Sequence, residues 1–309
     1  MSQMHSNMNS SLSSGYTTGR CMSSRRIRLN FWGCVRAEFI KSMSLVSTWW
    51  MVGIAIVLFP ALTALQTGLT RWMSEQAPQD EMFSMDMTLL WNNIAGACGL
   101  AAFVLGIFGV MNITTEYTTT SIQSTFTVNP RRLSAMFAKC VALVGVVWVT
   151  TLVGVLLAIG AFYITSAGMS LGALPEGQAG LPYLVILGAP SGVAAICLIG
   201  CGLGAICRST IGGVLALIGL LSILPSIFQM LSIFAVNIRW LGAAGYYLPS
   251  YSLSNFVLGR SPATEIAYAD SSDLGWGMPV WWVSGLVLLA WTVVIYAIGM
   301  LIVKRSDIK

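Results

Sequence analysis

Six long apolar stretches alternate with shorter polar ones along the chain. They cover residues 45–65, 89–111, 140–164, 181–207, 211–236 and 280–303. An α-helix rises 1.5 Å per residue, so about 20 residues cross the hydrocarbon core of a bilayer. Each stretch is long enough for one crossing. The pattern therefore predicts an all-α fold, a polytopic membrane protein with six transmembrane helices.

The composition agrees with this interpretation. The 309 residues are 56% hydrophobic and only 9% charged, whereas soluble domains carry about 25% charged residues. The net charge of +5 does not indicate a nucleic-acid partner, because the basic residues flank the spans, where anionic lipid headgroups are nearest. We predict a disordered cytoplasmic tail over residues 1–28 and one transmembrane domain over residues 29–309.

The basic residues also indicate the orientation. Apart from Arg71, Arg239 and Arg260, every Lys and Arg lies in a terminal segment or in one set of alternate loops. Basic residues near spans stay in the cytoplasm during insertion. Both termini are therefore predicted to be cytoplasmic.

Residues 29–44 predict an amphipathic helix that lies in the inner membrane interface before the first span. Trp32 and Phe39 fall on its apolar face, Arg36 lies at the edge of that face, and Lys41 points roughly opposite. The alternative is a cytoplasmic extension of the first span.

A second short apolar stretch, 246–258, lies within the long outer loop 237–279. It begins with Tyr246 and Tyr247 and contains Pro249. It is too short to cross the membrane. We predict a pair of short re-entrant helices here; a surface helix packed on the domain is the alternative.

Small residues recur at four-residue spacing within the spans. The pairs are Ala102 and Gly106, Gly154 and Ala158, and Gly200 and Gly204. Such pairs allow helices to approach closely in lipid. The sequence leaves open whether they pack within one chain or between subunits.

The chain offers no constellation for enzymatic chemistry. None of its four lysines follows a glycine, so it lacks a phosphate-binding loop. Its lone histidine, His5, lies in the predicted tail, and no zinc-ligand spacing occurs. Cys197 and Cys201 share a helix face, and we interpret them as packing residues rather than as a metal or redox pair. No catalytic residue, metal site or cofactor is predicted for this chain.

The spans also contain almost no ionisable residues, although ion-coupled carriers generally need them. The energy for any transport is therefore expected from elsewhere. Glu116, at the end of the second span, and Lys139, at the start of the third, are the nearest cases.

The segment 112–139, which contains the link between the second and third spans, is rich in threonine and serine. It is too long for a tight helical hairpin. Pro130 suits a helix boundary, and Arg131 and Arg132 can reach carboxylates or phosphates. The sequence predicts that this polar link contacts a partner.

Several motifs resemble actinobacterial ABC type-2 transporter permeases. The main one is Glu116-Tyr117, followed by threonines, Pro130-Arg131-Arg132 and Lys139; residues 36–50 resemble the helix before the first span and the start of that span. Weaker likenesses are Tyr246-Tyr247-Leu248-Pro249 and Arg305-Ser306-Asp307. The resemblance covers most of the chain after residue 30. The polar extension before residue 30 and the serine at 306 depart from the pattern.

The resemblance implies the membrane subunit of a bacterial exporter. Such permeases pair with a second copy or a paralogue and bind separate ABC ATPase subunits, which hold the ATP and magnesium. The link would form a coupling helix braced at its top by Glu116 and Tyr117. Arg131 and Arg132 would form its far end. Its contact surface would run from Thr118 to Thr127 and include Thr118, Thr119, Thr120, Ile122, Gln123 and Thr125.

Our leading hypothesis is a permease of the bacterial cell membrane that exports a hydrophobic or amphipathic substrate by alternating access. The ATPase, a second permease copy and membrane lipids are its expected partners. An ATP-independent secondary transporter or channel is one alternative. A membrane-anchored assembly or immunity protein is another.

Overall fold

The computed structural model describes residues 31–76, 87–118, 132–169, 171–175, 178–234, 244–259 and 279–305. Within those ranges the chain is helical and has no β-strand, which confirms the predicted all-α fold. The helices are α1 (Phe31–Ser44), α2 (Val46–Gln76), α3 (Thr88–Thr118), α4 (Arg132–Thr165), α5 (Leu181–Cys207), α6 (Thr210–Ile218), α7 (Leu224–Phe234), α8 (Pro249–Leu258) and α9 (Trp281–Arg305).

The six predicted spans are confirmed as six helical segments that are long and apolar enough to cross a membrane. They are Val46–Gln76, Thr88–Tyr117, Met136–Thr165, Leu181–Cys207, Thr210–Leu231 and Trp281–Val303. Because their number is even, α1 and the end of α9 lie at the same end of the bundle. We call this the α1 end.

Helix α5 occupies the centre of the bundle, with α3 and α9 packed along it. Glycines bring these helices into backbone contact. A Cβ added at Gly109 of α3 would lie 2.1 Å from the carbonyl oxygen of Cys197, and one at Gly200 would lie 2.2 Å from that of Gly106. On the other side of α5, Gly202 faces Gly299 of α9. The small residues of α3 and α5 therefore pack within one chain.

Helices α2 and α4 pack side by side in the same way. The ring of Phe59, which is inaccessible to solvent, lies over Gly154, where an added Cβ would be 2.4 Å from a ring carbon. Helix α2 is longer than the predicted first span and continues to Gln76. Near its far end, Arg71 Nη1 donates to the carbonyl oxygen of Thr165, the last residue of α4, and to that of Ala167 just beyond it.

The fifth span is interrupted by a π-helical turn, Gly219–Ile223, between α6 and α7. Pro225 follows it after one residue, Leu224. Proline has no N–H to donate and its ring clashes with the carbonyl of residue i−4. The carbonyl of Leu221 therefore cannot sit in a regular α-helical turn, and widening the helix relieves the clash.

Helix α8 packs against the first halves of α5 and α9. Leu253 contacts Gly192 of α5, and Phe256 contacts both Gly188 and Gly285 of α9. Pro249 opens the helix at a position where no N–H is needed. A short helix is therefore present in the predicted segment; that it re-enters a membrane stays a prediction. The predicted pair of helices is replaced, within the described residues 246–258, by the single helix α8.

Candidate functional site

Buried charged side chains gather at the α1 end of the bundle, where α1, α3 and α4 meet. We call Glu38, Lys41, Asn112, Glu116 and Lys139 the Glu116 cluster. Lys139 is only 4% exposed and Glu116 7%. Charged side chains are seldom so buried unless they are paired, so these residues depend on one another.

Lys139, near the start of α4, uses its ammonium group to bind α3. Its Nζ donates to Oε1 of Glu116 at 2.8 Å and to Oδ1 of Asn112 at 3.0 Å. The main-chain carbonyl of Asn112 accepts at 3.5 Å. A lysine has three N–H donors, so the ammonium has an α3 acceptor for each of them. This joins the last turns of α3 to the first turns of α4.

Helix α1 contributes Glu38 and Lys41 to the cluster. Oε2 of Glu38 lies 3.2 Å from Nζ of Lys139; this oxygen is buried and the pair is held by charge, without an aligned hydrogen bond. Lys41 forms an ion pair with Glu116. Lys41 is the most accessible charge of the cluster, since its side chain is 39% exposed.

A neutral hydrogen bond completes the connection. Nδ2 of Asn112 donates to Oγ of Ser42 at 3.0 Å, and both residues are buried. Asn112 thus accepts from α4 with its oxygen and donates to α1 with its nitrogen. The amide orientation is fixed by these two partners.

The cluster is electrically balanced, with two carboxylates and two ammonium groups. Removing one member of a buried ion pair leaves an uncompensated charge and costs about 3–5 kcal/mol. The arrangement therefore has one stable geometry. Its physical effect is to hold three helix ends in a fixed relation.

The residues that the sequence analysis assigned to the link are only partly described. Glu116 lies in the cluster as a buried ion pair, while Tyr117 is half-buried next to it. Thr118 ends α3 and Arg132 begins α4. The remaining predicted contact residues, Thr119, Thr120, Ile122, Gln123, Thr125 and Arg131, lie outside the described residues, as does the tail 1–28.

The predicted interfacial segment forms a helix of its own. Helix α1 ends at Ser44 and is separated from α2 by a break at Leu45, so it is not a continuation of the first span. Trp32, Arg36 and Phe39 are exposed. Lys41, on the opposite face, points to Glu116. That α1 lies in a membrane interface stays a prediction.

The predicted re-entrant segment begins with a turn held by α9. The carbonyl of Tyr247 accepts a hydrogen bond from Nε1 of Trp291 at 2.9 Å, and the rings of Tyr246 and Tyr251 make an edge contact. Pro249 is buried. Alongside α8 runs a groove of about 430 Å³ between α4 and α9, floored by Gly192, Ala194 and Ala195 of α5.

Glu38, Asn112 and Ser42 were not singled out from the sequence. Glu38 precedes Lys41 by three residues, and Asn112 precedes Glu116 by four, so each pair occupies one helix face. Two polar residues on one helix face, next to a membrane span, are the sequence feature that could have indicated these positions. Which faces would meet depended on the packing of α1 against α4.

Comparison with protein-family models gives no match, and comparison with curated proteins gives none either.

Proposed function

We propose that this chain is the membrane-spanning subunit of an exporter driven by a separate ABC ATPase subunit. The observation that carries the proposal is the ion pair between Glu116 and Lys139. These residues stand at the two ends of the polar link 119–131 and join α3 to α4. A partner that displaces the link would therefore move two membrane spans together.

A buried ion pair is an unusual feature in so apolar a chain. Replacing such a pair by apolar residues is often neutral or stabilising, so its presence is weak support for a stabilising role. Its directional contacts fix geometry. A fixed geometry suits an element that transmits mechanical work, and we propose this role for the Glu116–Lys139 ion pair.

The distribution of charge supports the proposed orientation. The Glu116 cluster lies at the end of the bundle that carries most of the basic residues, including Arg132. Basic flanks favour the cytoplasm. The link would then face the compartment that holds ATP, and both termini would be cytoplasmic in a bacterial cell membrane.

The proposed substrate is hydrophobic or amphipathic. In the described parts of the spans, charged side chains occur near the ends, as with Arg71, Glu116 and Lys139, and the middle turns are uncharged. A strongly charged cargo would meet no compensating charge there. Transport would proceed by alternating access together with a second copy or a paralogue.

The proposal is tested by purifying the chain from native membranes in mild detergent and identifying co-purifying proteins by mass spectrometry. An ABC ATPase is the expected companion. The complex is then reconstituted into vesicles, and efflux of an amphipathic dye is measured with ATP and with a non-hydrolysable analogue. Efflux only with ATP supports the proposal. Efflux by the chain alone, driven by an ion gradient, would contradict it.

A further inference from the structure

We propose that α1 moves as one body with the facing ends of α3 and α4, and that Glu38 and Ser42 are the positioning residues that hold it there. The existence of this body is independent of the proposed function. Its consequence for transport rests on that function.

Three consecutive contacts join α1 to the rest of the cluster. Glu38 faces Lys139 of α4, Lys41 pairs with Glu116 of α3, and Ser42 accepts from Asn112 of α3. The three α1 residues lie within little more than one turn, so all three contacts fall on one face. Each leads to a residue that is itself bound to another member of the cluster.

The opposite side of α1 has few constraints. Phe31, Trp32, Phe39 and Ile40 are all exposed, and the helix is separated from α2 by the break at Leu45. The inward-facing polar contacts therefore determine where α1 sits on α4. Without them, the short helix would be held by its chain connection, by the hydrogen bond from Trp49 Nε1 to the carbonyl of Met43 and by apolar packing.

The contacts are expected to form and break together. Lifting α1 would leave Lys139 with one carboxylate instead of two and would strip the Asn112 amide of its acceptor. Leaving buried polar groups unpaired is costly. When α3 and α4 move at the link, α1 is therefore expected to move with them and not to separate from them.

The experiment measures hydrogen–deuterium exchange by mass spectrometry on the full chain in lipid nanodiscs. Glu38→Gln removes the charge that faces Lys139. Glu75→Gln is the matched control, because Glu75 is exposed and pairs only with its helix neighbour Arg71 at 3.0 Å among the described residues. We expect Glu38→Gln to speed exchange about tenfold in α1 and also in residues 112–118 and 132–139. The control should leave all three regions unchanged.

Two exchange results would overturn the inference: faster exchange in α1 alone, or no change in any of the three regions. If Glu38→Gln does not fold, Ser42→Ala decides the matter, with an expected increase of about threefold in the same three regions. For Ser42→Ala too, faster exchange in α1 alone or no change in any region would overturn the inference.

A second measurement separates this inference from the proposed function. In the reconstituted complex with its ATPase, Glu38→Gln is expected to lower the amount of dye exported per ATP hydrolysed, while ATP hydrolysis continues. A lower ratio with unaltered exchange would overturn the inference and leave the exporter intact. If no ATPase associates, the proposed function fails and the exchange data still decide whether the three helices form one body.

Discussion

Lys139 Nζ lies 2.8 Å from Oε1 of Glu116, and the two residues bracket the polar link 119–131. The pair joins the end of one span to the start of the next at a site from which water is nearly excluded. The contact ties the end of α3 to the start of α4 on either side of the link.

The charge of Glu116 is expected to matter for transport. Glu116→Gln keeps the shape of the side chain but leaves Lys139 with Glu38 as its remaining carboxylate among the described residues. Hydrogen bonds to charged groups contribute about 1.5–3 kcal/mol. We expect export to fall about tenfold with little loss of expression. Export is measured against Glu75→Gln as control. Unchanged export would show that the charge of Glu116 has no role in transport.

The Glu38–Lys139 contact should show energetic coupling. Lys139→Met alone leaves two buried carboxylates facing only Lys41, whereas Lys139→Met combined with Glu38→Gln restores one carboxylate and one ammonium. The double variant should therefore be more stable than the sum of the single effects, by at least about 1 kcal/mol. Thermal unfolding of the four proteins in detergent measures this difference. Additive effects would show that the two groups do not interact.

The far end of the link is expected to bind the ATPase. Arg131 and Arg132 can pair with carboxylates of a partner. Reversing both to glutamate should weaken co-purification of the ATPase by about tenfold or more. Reversal of Arg71, at the opposite end of the bundle, serves as the control. Normal association and normal stimulation of ATP hydrolysis by the doubly reversed variant would refute the assignment.

The glycine contacts between α3 and α5 should be intolerant of a single methyl group. An alanine at Gly109 would place its Cβ 2.1 Å from a backbone oxygen of Cys197, whereas one at Gly145 of α4 meets no atom within 4 Å. Gly109→Ala should cost about 1–3 kcal/mol. Gly145→Ala should be neutral or slightly stabilising because alanine favours helix. Unfolding in detergent compares the two, and equal stabilities would contradict the observed packing.

The hydrogen bond from Trp291 to the carbonyl of Tyr247 should stabilise the turn that precedes α8. Trp291→Phe removes the donor and keeps an aromatic ring, at a cost of about 1 kcal/mol. Hydrogen–deuterium exchange in residues 244–259 should increase. Trp282→Phe, at an exposed position of the same helix, should leave that exchange unaltered. Equal effects of the two substitutions would show that the indole N–H is not important.

The sequence alone determined the spans, because a helix of about 20 apolar residues has few stable environments other than a membrane. It also placed Glu116 and Lys139 at neighbouring span ends and a short helix after Tyr247. Its helix ends were less accurate. Helix α2 continues past residue 65 to Gln76, and its Arg71 donates to carbonyls at the end of α4 and just beyond it, a contact that hydropathy does not report.

Only the tertiary structure decided which side chains meet. Glu38 and Lys139 are far apart in sequence, and Glu38 faces Lys139 because α1 folds back on α4 instead of continuing α2. The same holds for Gly106 and Gly200, which face each other and whose four-residue spacings with other small residues fitted both a subunit interface and internal packing. Periodicity identifies the face of a helix. The neighbour of that face is fixed by close packing, which depends on the whole set of helices.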